Sequence, residues 1–354
     1  MRGAAGLAAL LLAATFAIAC AHTPEPRDES VRAQRLVDAP IIHPGLHPSL
    51  GENIQGPSLI RVPDWAPNRL GRYYLYFADH KGRYIRLAYA DTLEGPWSIH
   101  APGSLQLEDS GFPTEPPEAS DGEVRRMALL YRLAGVKLPH SPRLDFTTPH
   151  IASPDVHVDH ERRQIVMYFH GLSGFAEQTS RVALSSDGIH FEALPETAPK
   201  TYLRAFRYRD TTYALAMPGQ FYRSGDGLFD LEPGPRLFDR NMRHSAVWVR
   251  GDTLWVFWTR VGDAPERILL TRVELGANWL DWRQGTTTEV LRPERAWEGS
   301  AGPVEPSQRS VAYGLVNQLR DPALFHEEGR SYLLYAVGGE SGIGLAELHV
   351  REAR

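Results

Sequence analysis

Gly56-Pro57-Ser58-Leu59-Ile60, a turn around Asn68 to Gly71, Tyr73-Tyr74-Leu75-Tyr76-Phe77, then Ile85-Arg86-Leu87-Ala88-Tyr89-Ala90: this stretch holds three short aromatic or β-branched runs between turn signals. Runs of that kind, bounded by Gly, Pro, Asn and Asp, read as strands of an antiparallel sheet. The same order returns along the chain. Ser153-Pro154-Asp155-Val156-His157-Val158 leads into runs at 165–169 and 181–185. A shorter copy starts at Arg204, a fourth at His244-Ser245-Ala246-Val247-Trp248-Val249, and a fifth at Asp321-Pro322-Ala323-Leu324-Phe325. After four of the five copies comes a fourth candidate strand, such as Trp97-Ser98-Ile99-His100 or His190-Phe191-Glu192-Ala193. Copies of a four-stranded unit predict an all-β fold, a five-bladed β-propeller with four-stranded antiparallel blades. A β-sandwich, or two smaller β domains, is the alternative that short strands at regular spacing also allow.

Length is compatible with either. A chain of 354 residues with 42% hydrophobic content can bury a substantial core, and length alone suggests two domains. Internal repetition overrides that prior, because a propeller grows by adding blades around one axis. The formal net charge of −5 and the lack of Lys/Arg blocks argue against a nucleic-acid partner. Eight Trp and fourteen Tyr are compatible with sugar stacking, although Trp255, Tyr74 and Tyr332 fall in strand cores.

The first residues read as a targeting segment. Met1-Arg2 is a short positive region, residues 7–18 form an apolar stretch too short for a comfortable membrane span, and Ala17-Ile18-Ala19 is a small-residue cleavage site. Residues 1–19 are therefore expected to be a signal peptide. Cys20 is the only cysteine, so the mature domain holds no internal disulfide. Ala17-Ile18-Ala19-Cys20 resembles the lipobox of bacterial lipoproteins, with Ala17 where Leu is usual, and ordinary cleavage at the same site is the alternative. The resemblance implies attachment to a membrane through a lipidated Cys20, in the bacterial cell envelope at the outer membrane or the periplasmic face, and otherwise secretion. Residues 20–41 would then be the lipidated Cys and a flexible tether, and residues 42–354 the propeller domain.

In a propeller the first strand of each blade lines the central channel, so residues far apart in sequence converge on one funnel. Aligning the copies puts Gly56, Ser153, Arg204, His244 and Asp321 at or beside the start of that strand. His150, Asp155, Asp79, His80 and Arg320 are close enough in sequence to reach the same funnel. Glu340 follows the second strand of the last blade, beside Gly338-Gly339 and Gly342.

Gly-Pro-Ser-Leu-Ile with Tyr-Tyr-Leu-Tyr-Phe, the run Tyr89-Ala90-Asp91-Thr92-Leu93-Glu94-Gly95-Pro96-Trp97, and Arg320-Asp321-Pro322-Ala323-Leu324-Phe325 together resemble the five-bladed propeller glycosidases. That superfamily includes arabinanases, β-xylosidases, invertases and levansucrases. The resemblance covers the chain from about Ile42 onward. It implies a propeller and a glycoside hydrolase acting on an oligo- or polysaccharide in the central funnel. The superfamily places an acidic residue at the start of the first blade, a second Asp in the second blade and a Glu general acid in the third. Here the first-blade position is Gly56-Pro57 and the third blade offers Arg204, so the expected site is rearranged or lost.

Glycoside hydrolysis needs a proton donor for the leaving oxygen and a group that activates water or attacks the anomeric carbon. A histidine can take an acid–base role when its pKa is near the working pH. The resemblance extends to superfamily members acting on algal galactans, for which a His in that role has been considered. Catalytic candidates are accordingly His244 and His150, with Asp155 and Asp321 as base or orienting carboxylates. Substrate-binding candidates are Arg204, Arg320, His80, Asp79 and Glu340, the arginines being suited to an acidic or sulfated sugar. The chemistry requires no cofactor. His150, His157 and His160 do not have standard zinc spacing, so a structural metal in the channel is not indicated.

Each candidate has a plainer reading: Asp321 capping a turn beside Arg320, Asp155 and His244 as structural channel residues, and Asp79-His80 as a hairpin turn with Lys81-Gly82. Ser185-Ser186-Asp187-Gly188 and Ser224-Gly225-Asp226-Gly227 read as turns. Residues 101–148 are the longest excursion between blades, with a helix expected near 124–134, and are expected to wall one rim of the funnel. A loop at 291–315 is expected on the other side. Two functions remain open: a glycosidase, or a non-catalytic glycan-binding surface lipoprotein that has lost the first-blade carboxylate.

Overall fold

A computed structural model describes residues 30–351 of the chain. Residues 31–349 make up one unit, described here, and the expected signal segment and Cys20 lie outside the described residues. Twenty strands form five four-stranded sheets. The first, β1 (Ser30–Arg35), precedes blade one. Blade one is β2 (Gln55–Arg61), β3 (Tyr73–Ala78), β4 (Tyr84–Ala90) and β5 (Ser98–Gln106). Blade two is β6 (Ile151–Asp159), β7 (Gln164–Gly174), β8 (Glu177–Ser185) and β9 (Glu192–Ala193). Blade three is β10 (Arg204–Tyr208), β11 (Thr211–Ala216), β12 (Gln220–Ser224) and β13 (Leu231–Arg236). Blade four is β14 (Met242–Arg250), β15 (Thr253–Arg260), β16 (Ile268–Glu274) and β17 (Arg283–Leu291). Blade five takes β18 (Arg320–Glu327), β19 (Arg330–Ala336) and β20 (Ile343–Arg351), and its outer strand is β1. The fold is thus the five-bladed propeller with antiparallel blades that the repeats predict.

The blades pack face to face, which explains the uninterrupted apolar runs. Tyr73 to Ala78 are all buried because β3 is covered on both sides. One face contributes Tyr74 and Tyr76 to a cluster with Met167 and Phe169 of blade two, and the other Tyr73, Leu75 and Phe77 to a cluster with Phe325 and Leu334 of blade five. A strand buried on both faces loses the alternation of a half-exposed one.

The expected tether is corrected over residues 30–41 by β1, while residues 20–29 lie outside the described residues. From Ser30 the chain is a strand, and from Leu36 to Ile42 it stays bonded to blade five: Leu36 N donates to Leu345 O at 3.1 Å and Ile41 N to Ile343 O at 2.8 Å. This supplies the fourth strand that the fifth repeat lacks, and it closes the ring. The polar sequence Ser-Val-Arg-Ala-Gln-Arg hides the strand because it is an outer edge, alternating between exposed and half-buried positions.

A clasp holds that closure. Glu298, fully buried, accepts from Arg35 Nε at 2.7 Å and Arg35 Nη2 at 2.8 Å. It also accepts from Tyr335 Oη at 3.0 Å and from the amides of Glu294 and Arg295 at 2.8 and 3.0 Å. Trp297-Glu298-Gly299 therefore serves the ring closure. Arg35→Ala leaves a buried carboxylate without its cation and is expected to cost about 3–5 kcal/mol. Guanidinium unfolding of the two proteins checks this, and a loss within about 0.5 kcal/mol would mean that the clasp does not carry the closure.

Between β5 and β6 the chain forms α1 (Asp121–Leu133) and α2 (Pro142–Thr147). Ser120 and Glu123 make a capping box at the start of α1, close to the expected helix. Among the described residues no helix is long and apolar enough to cross a membrane.

Candidate active site

The first strands of blades one, two, four and five bulge near their starts. Gln55 pairs with Ala78 but Ser58 with Tyr76, and Ala152 with His170 but Asp155 with Tyr168. Met242 and Ser245 stand in the same relation to Arg260 and Trp258, and Arg320 and Ala323 to Ala336 and Leu334. A bulge re-aims a side chain into the space the strand borders. Gly56, Ser153 and Asp321 are left at φ +64°, +52° and +46°. The pairing sets Arg243 in the matching place in blade four; in blade three, where the pairing begins at Arg204, Tyr202 two residues earlier has a like φ of +55°. The sequence alignment put His244 and Arg204 at or beside that place; His244 stands one residue past the match in blade four.

Gly56 is where the first-blade carboxylate is missing, and the space around it is tight. A Cβ there would stand 3.0 Å from Ser153 Cα, so Ser153 would have to give by a few tenths of an ångström; the positive φ alone is no bar, since Ser153 and Asp321 adopt it in the matching places. Blade two approaches the backbone of blade one too closely for an acidic residue without movement.

Asp321, fully buried, accepts from Gly56 N at 3.2 Å through one oxygen and meets His244 Nδ1 with the other. The Tyr202 ring lies between His244 and His170, 4.2 Å from each centroid. Burial, followed by Arg243, His80, Arg204 and Arg320, holds His244 well below the usual histidine range, so its imidazole is neutral. His244 faces the Asp321 carboxylate with Nδ1 and lines a cavity.

Arg320, Glu340 and His80 form the layer beside this pair. Arg320 Nη1 donates to Glu340 Oε1 at 2.7 Å, and Arg320 Nε lies 3.4 Å from Glu266 Oε2. Glu340 Oε2 accepts from Asn53 Nδ2 at 2.8 Å and lies 3.3 Å from His80 Nδ1. Burial alone would raise the Glu340 pKa, but His80, Arg320 and Asn53 bring it down to about 2. It is a fixed negative charge rather than a proton donor.

Asp155 and Arg204 stitch neighbouring blades. Asp155 Oδ2 accepts from Ala205 N at 2.9 Å and faces His157 Nε2 at 2.8 Å, while Arg204 Nε donates to Ser245 O at 2.7 Å. Ser58, in the equivalent place of blade one, accepts from Val156 N at 2.9 Å. His150 is buried with Nδ1 2.7 Å from Thr148 O, and burial, then Lys81, lowers it to about 3. Asp79 accepts from Lys81 N at 2.8 Å within the hairpin turn. None of these four lines the cavity. The Asp187 and Asp226 pieces cap turns, Asp187 accepting from Ile189 N at 2.7 Å and Asp226 from Leu228 N at 2.9 Å.

The cavity, of about 350 Å³, opens where the first strands start. Small-molecule sites commonly measure ~300–1,000 Å³. Its wall carries His80, Tyr202, Arg243 and His244 from the blades, and Tyr131, Asp145 and Phe146 from the α1–α2 excursion. That excursion walls the funnel as its length predicts. Lys81, Lys200 and Arg309 also face the cavity. Sequence reasoning passed over Tyr202, Arg243, Lys200, Arg309 and Glu266. Arg243 and Tyr202 were hidden by the register, and Arg309 lies in a loop with no periodic signal. A second groove, of about 700 Å³, runs over hairpin turns of blades two and three at the far ends of β6 and β10. Among the described residues no group of three or more His, Cys, Asp or Glu is arranged to hold a metal ion.

No protein-family model matches the chain. Among solved structures, a GH43 β-xylosidase/α-arabinofuranosidase from a compost microbial metagenome is similar at a TM-score of 0.52 and 10% identity, over 90% of this chain and 94% of that one. A GH43_1 enzyme from Xanthomonas citri gives 0.52 and 10%, over 89% and 90%. An exo-β-1,3-galactanase from Phanerochaete chrysosporium gives 0.50 and 10%, over 84% of this chain and 60% of the galactanase chain. At such identity the likeness is one of fold, and the propeller is that of the GH43 glycoside hydrolase structures. In sequence, the uncharacterized protein R118 of Acanthamoeba polyphaga mimivirus is 35% identical over 323 residues, which is 84% of this chain and 83% of the viral protein. Identity and coverage of that order place the chain in one family with the mimivirus protein.

Proposed function

We propose that the chain is a glycoside hydrolase that cleaves an oligo- or polysaccharide in the cavity at the mouth of the propeller. The observation that carries this is His244, on the cavity wall and backed by the buried carboxylate of Asp321, in a fold shared with GH43 hydrolases. Asp321 fixes the imidazole with its proton on Nδ1, so Nε2 takes a proton from an attacking water. As the water oxygen bonds the anomeric carbon, the glycosidic C–O bond breaks and the leaving oxygen needs a proton. Lys81 is the wall group suited to give it: burial lowers its pKa from the ordinary lysine value, opposed by Asp145. Tyr202 keeps its proton too firmly, since burial raises its pKa to about 12. Asp321, Glu340 and Arg320 act behind the wall as positioning residues.

Gly56 favours a second reading, a glycan-binding protein that has kept the cavity without turnover. In either reading Cys20, following Ala17-Ile18-Ala19, would tether the protein to a cell-envelope membrane if lipidated, and plain cleavage there would secrete it. Incubating the protein with plant, algal and bacterial glycans, with mass spectrometry of the products beside Asp321→Asn, tests both. Sugar release that disappears in the variant supports the hydrolase. Binding without release supports the second reading, and neither binding nor release removes both.

A further inference from the structure

The cavity is electrically lopsided. Its wall presents Lys81, Lys200, Arg243 and Arg309, and only one carboxylate, Asp145, which lies 3.0 Å from His140 Nδ1. The other carboxylates of the centre, Asp321, Glu340 and Glu266, are buried behind that wall and engaged there. Glu266 is shared, 3.5 Å from Arg243 Nε and 3.4 Å from Arg320 Nε. Arg243 also donates to the carbonyls of Gln308 and Ser310, which brings the loop carrying Arg309 beside it. Arg309 donates to Arg240 O at 2.6 Å, and among the described residues no carboxylate lies within 4.0 Å of Arg309 or Lys200. Burial, followed by the neighbouring Arg243, lowers the pKa of Arg309, as expected for a guanidinium held near a like charge.

Arg309, without a carboxylate partner among the described residues, beside Arg243, whose Nε faces Glu266 from behind the wall, makes an excess of positive charge on the wall of a sugar-sized cavity that suits an oxyanion. Arginine matches a carboxylate or sulfate through paired N–H donors. We infer that the glycan taken by this cavity carries an anionic substituent, a carboxylate or a sulfate, seated between Arg243 and Arg309 with Lys200 at the rim. This rests on the reading of the cavity as a sugar site and adds the substrate class. The sequence-level expectation gave that role to Arg204 and Arg320, neither of which lines the cavity: Arg204 donates to Ser245 O, and Arg320 to Glu340 and Gln318.

Calorimetric titration of the whole protein tests the inference with three probes: a neutral galactose trisaccharide, a galacturonic acid trisaccharide and a sulfated galactose trisaccharide. One of the two acidic probes is expected to bind about tenfold or more tightly than the neutral one, to weaken as salt is raised, and to fall to the neutral level in Arg309→Gln. Which acidic probe wins identifies the substituent. Lys200→Gln, at an exposed position, is expected to weaken the same probe less and guards against a folding defect in the first variant. Equal or tighter binding of the neutral probe overturns the anionic class and leaves the sugar site standing, as does acidic selectivity that survives Arg309→Gln. Binding of none of the three, with no glycan bound or cleaved in the wider panel, overturns both.

Discussion

His244→Ala is expected to lower kcat/KM on the cleaved glycan by about 10²–10⁴-fold, the range supplied by a positioned general base. Binding of the same glycan is expected to persist, because the cationic wall and the α1–α2 side of the cavity remain. Asp321→Asn should lower turnover by about tenfold or more while keeping an acceptor for Gly56 N, since the neutral amide no longer holds the imidazole with its proton on Nδ1. The pH profile separates a base from a merely structural ring. Burial and the surrounding arginines hold His244 well below its ordinary value, so the acid limb of kcat/KM assigned to it should lie below about pH 6.5. Full activity in His244→Ala would remove this assignment. Circular dichroism and a thermal melt of both variants establish that any loss is one of chemistry.

The propeller was legible because each blade repeats the same punctuation. Gly56-Pro57, Ser153-Pro154 and Asp321-Pro322 mark the same bulge in three blades, and continuous apolar second strands mark the sheets packed on both faces. What escaped was β1, which buries little of its own surface and pairs with a strand some three hundred residues later, so no local pattern announces it. The site was half legible for a related reason. The repeats bring the strands of Asp321 and His244 to one axis, and there the two side chains meet. The register within each strand depends on a bulge that sequence does not count, so Arg243 and Tyr202 were displaced, and Arg204 was assigned to substrate and Asp155 to catalysis instead of to the seams between blades. Arg309 reaches the cavity from an irregular loop, where only three-dimensional closure brings it beside Arg243.

The second large effect expected is a loss of stability as pH falls from about 7 to about 5, before the carboxylates of the centre titrate. His150, His170 and His244 are buried and neutral: burial and then Lys81 lower His150 to about 3, while burial and then neighbouring positive groups hold the other two well below the ordinary range. In the unfolded chain each takes a proton near its usual value of about 6.5. Below that value the unfolded state binds more protons than the native state, so the stability from keeping these rings neutral is complete above about pH 6.5 and is lost as pH falls toward the folded values. Each contributes a slope of up to about 1.4 kcal/mol per pH unit, and His326, lowered to about 4 by burial, adds to the loss in the same direction. One group opposes this. Against the burial that disfavours its charge, Asp155 raises His157, whose contribution is complete below about pH 6.5 and fades as pH rises through its folded pKa. Asp155 and Glu340 add a later loss, since both are depressed against the burial that opposes them, Asp155 chiefly by His157 and Glu340 by His80 and Arg320, the latter to about 2. Urea unfolding at intervals from pH 8 down to about 5 measures the slope. His170→Phe, which keeps a ring against Tyr202 and removes the titration, should flatten it by up to about 1.4 kcal/mol per pH unit. A free energy of unfolding that does not change between pH 7 and 5 would mean that these histidines already take up protons in the folded protein, and the neutral His244 on which the base assignment depends would fall with them.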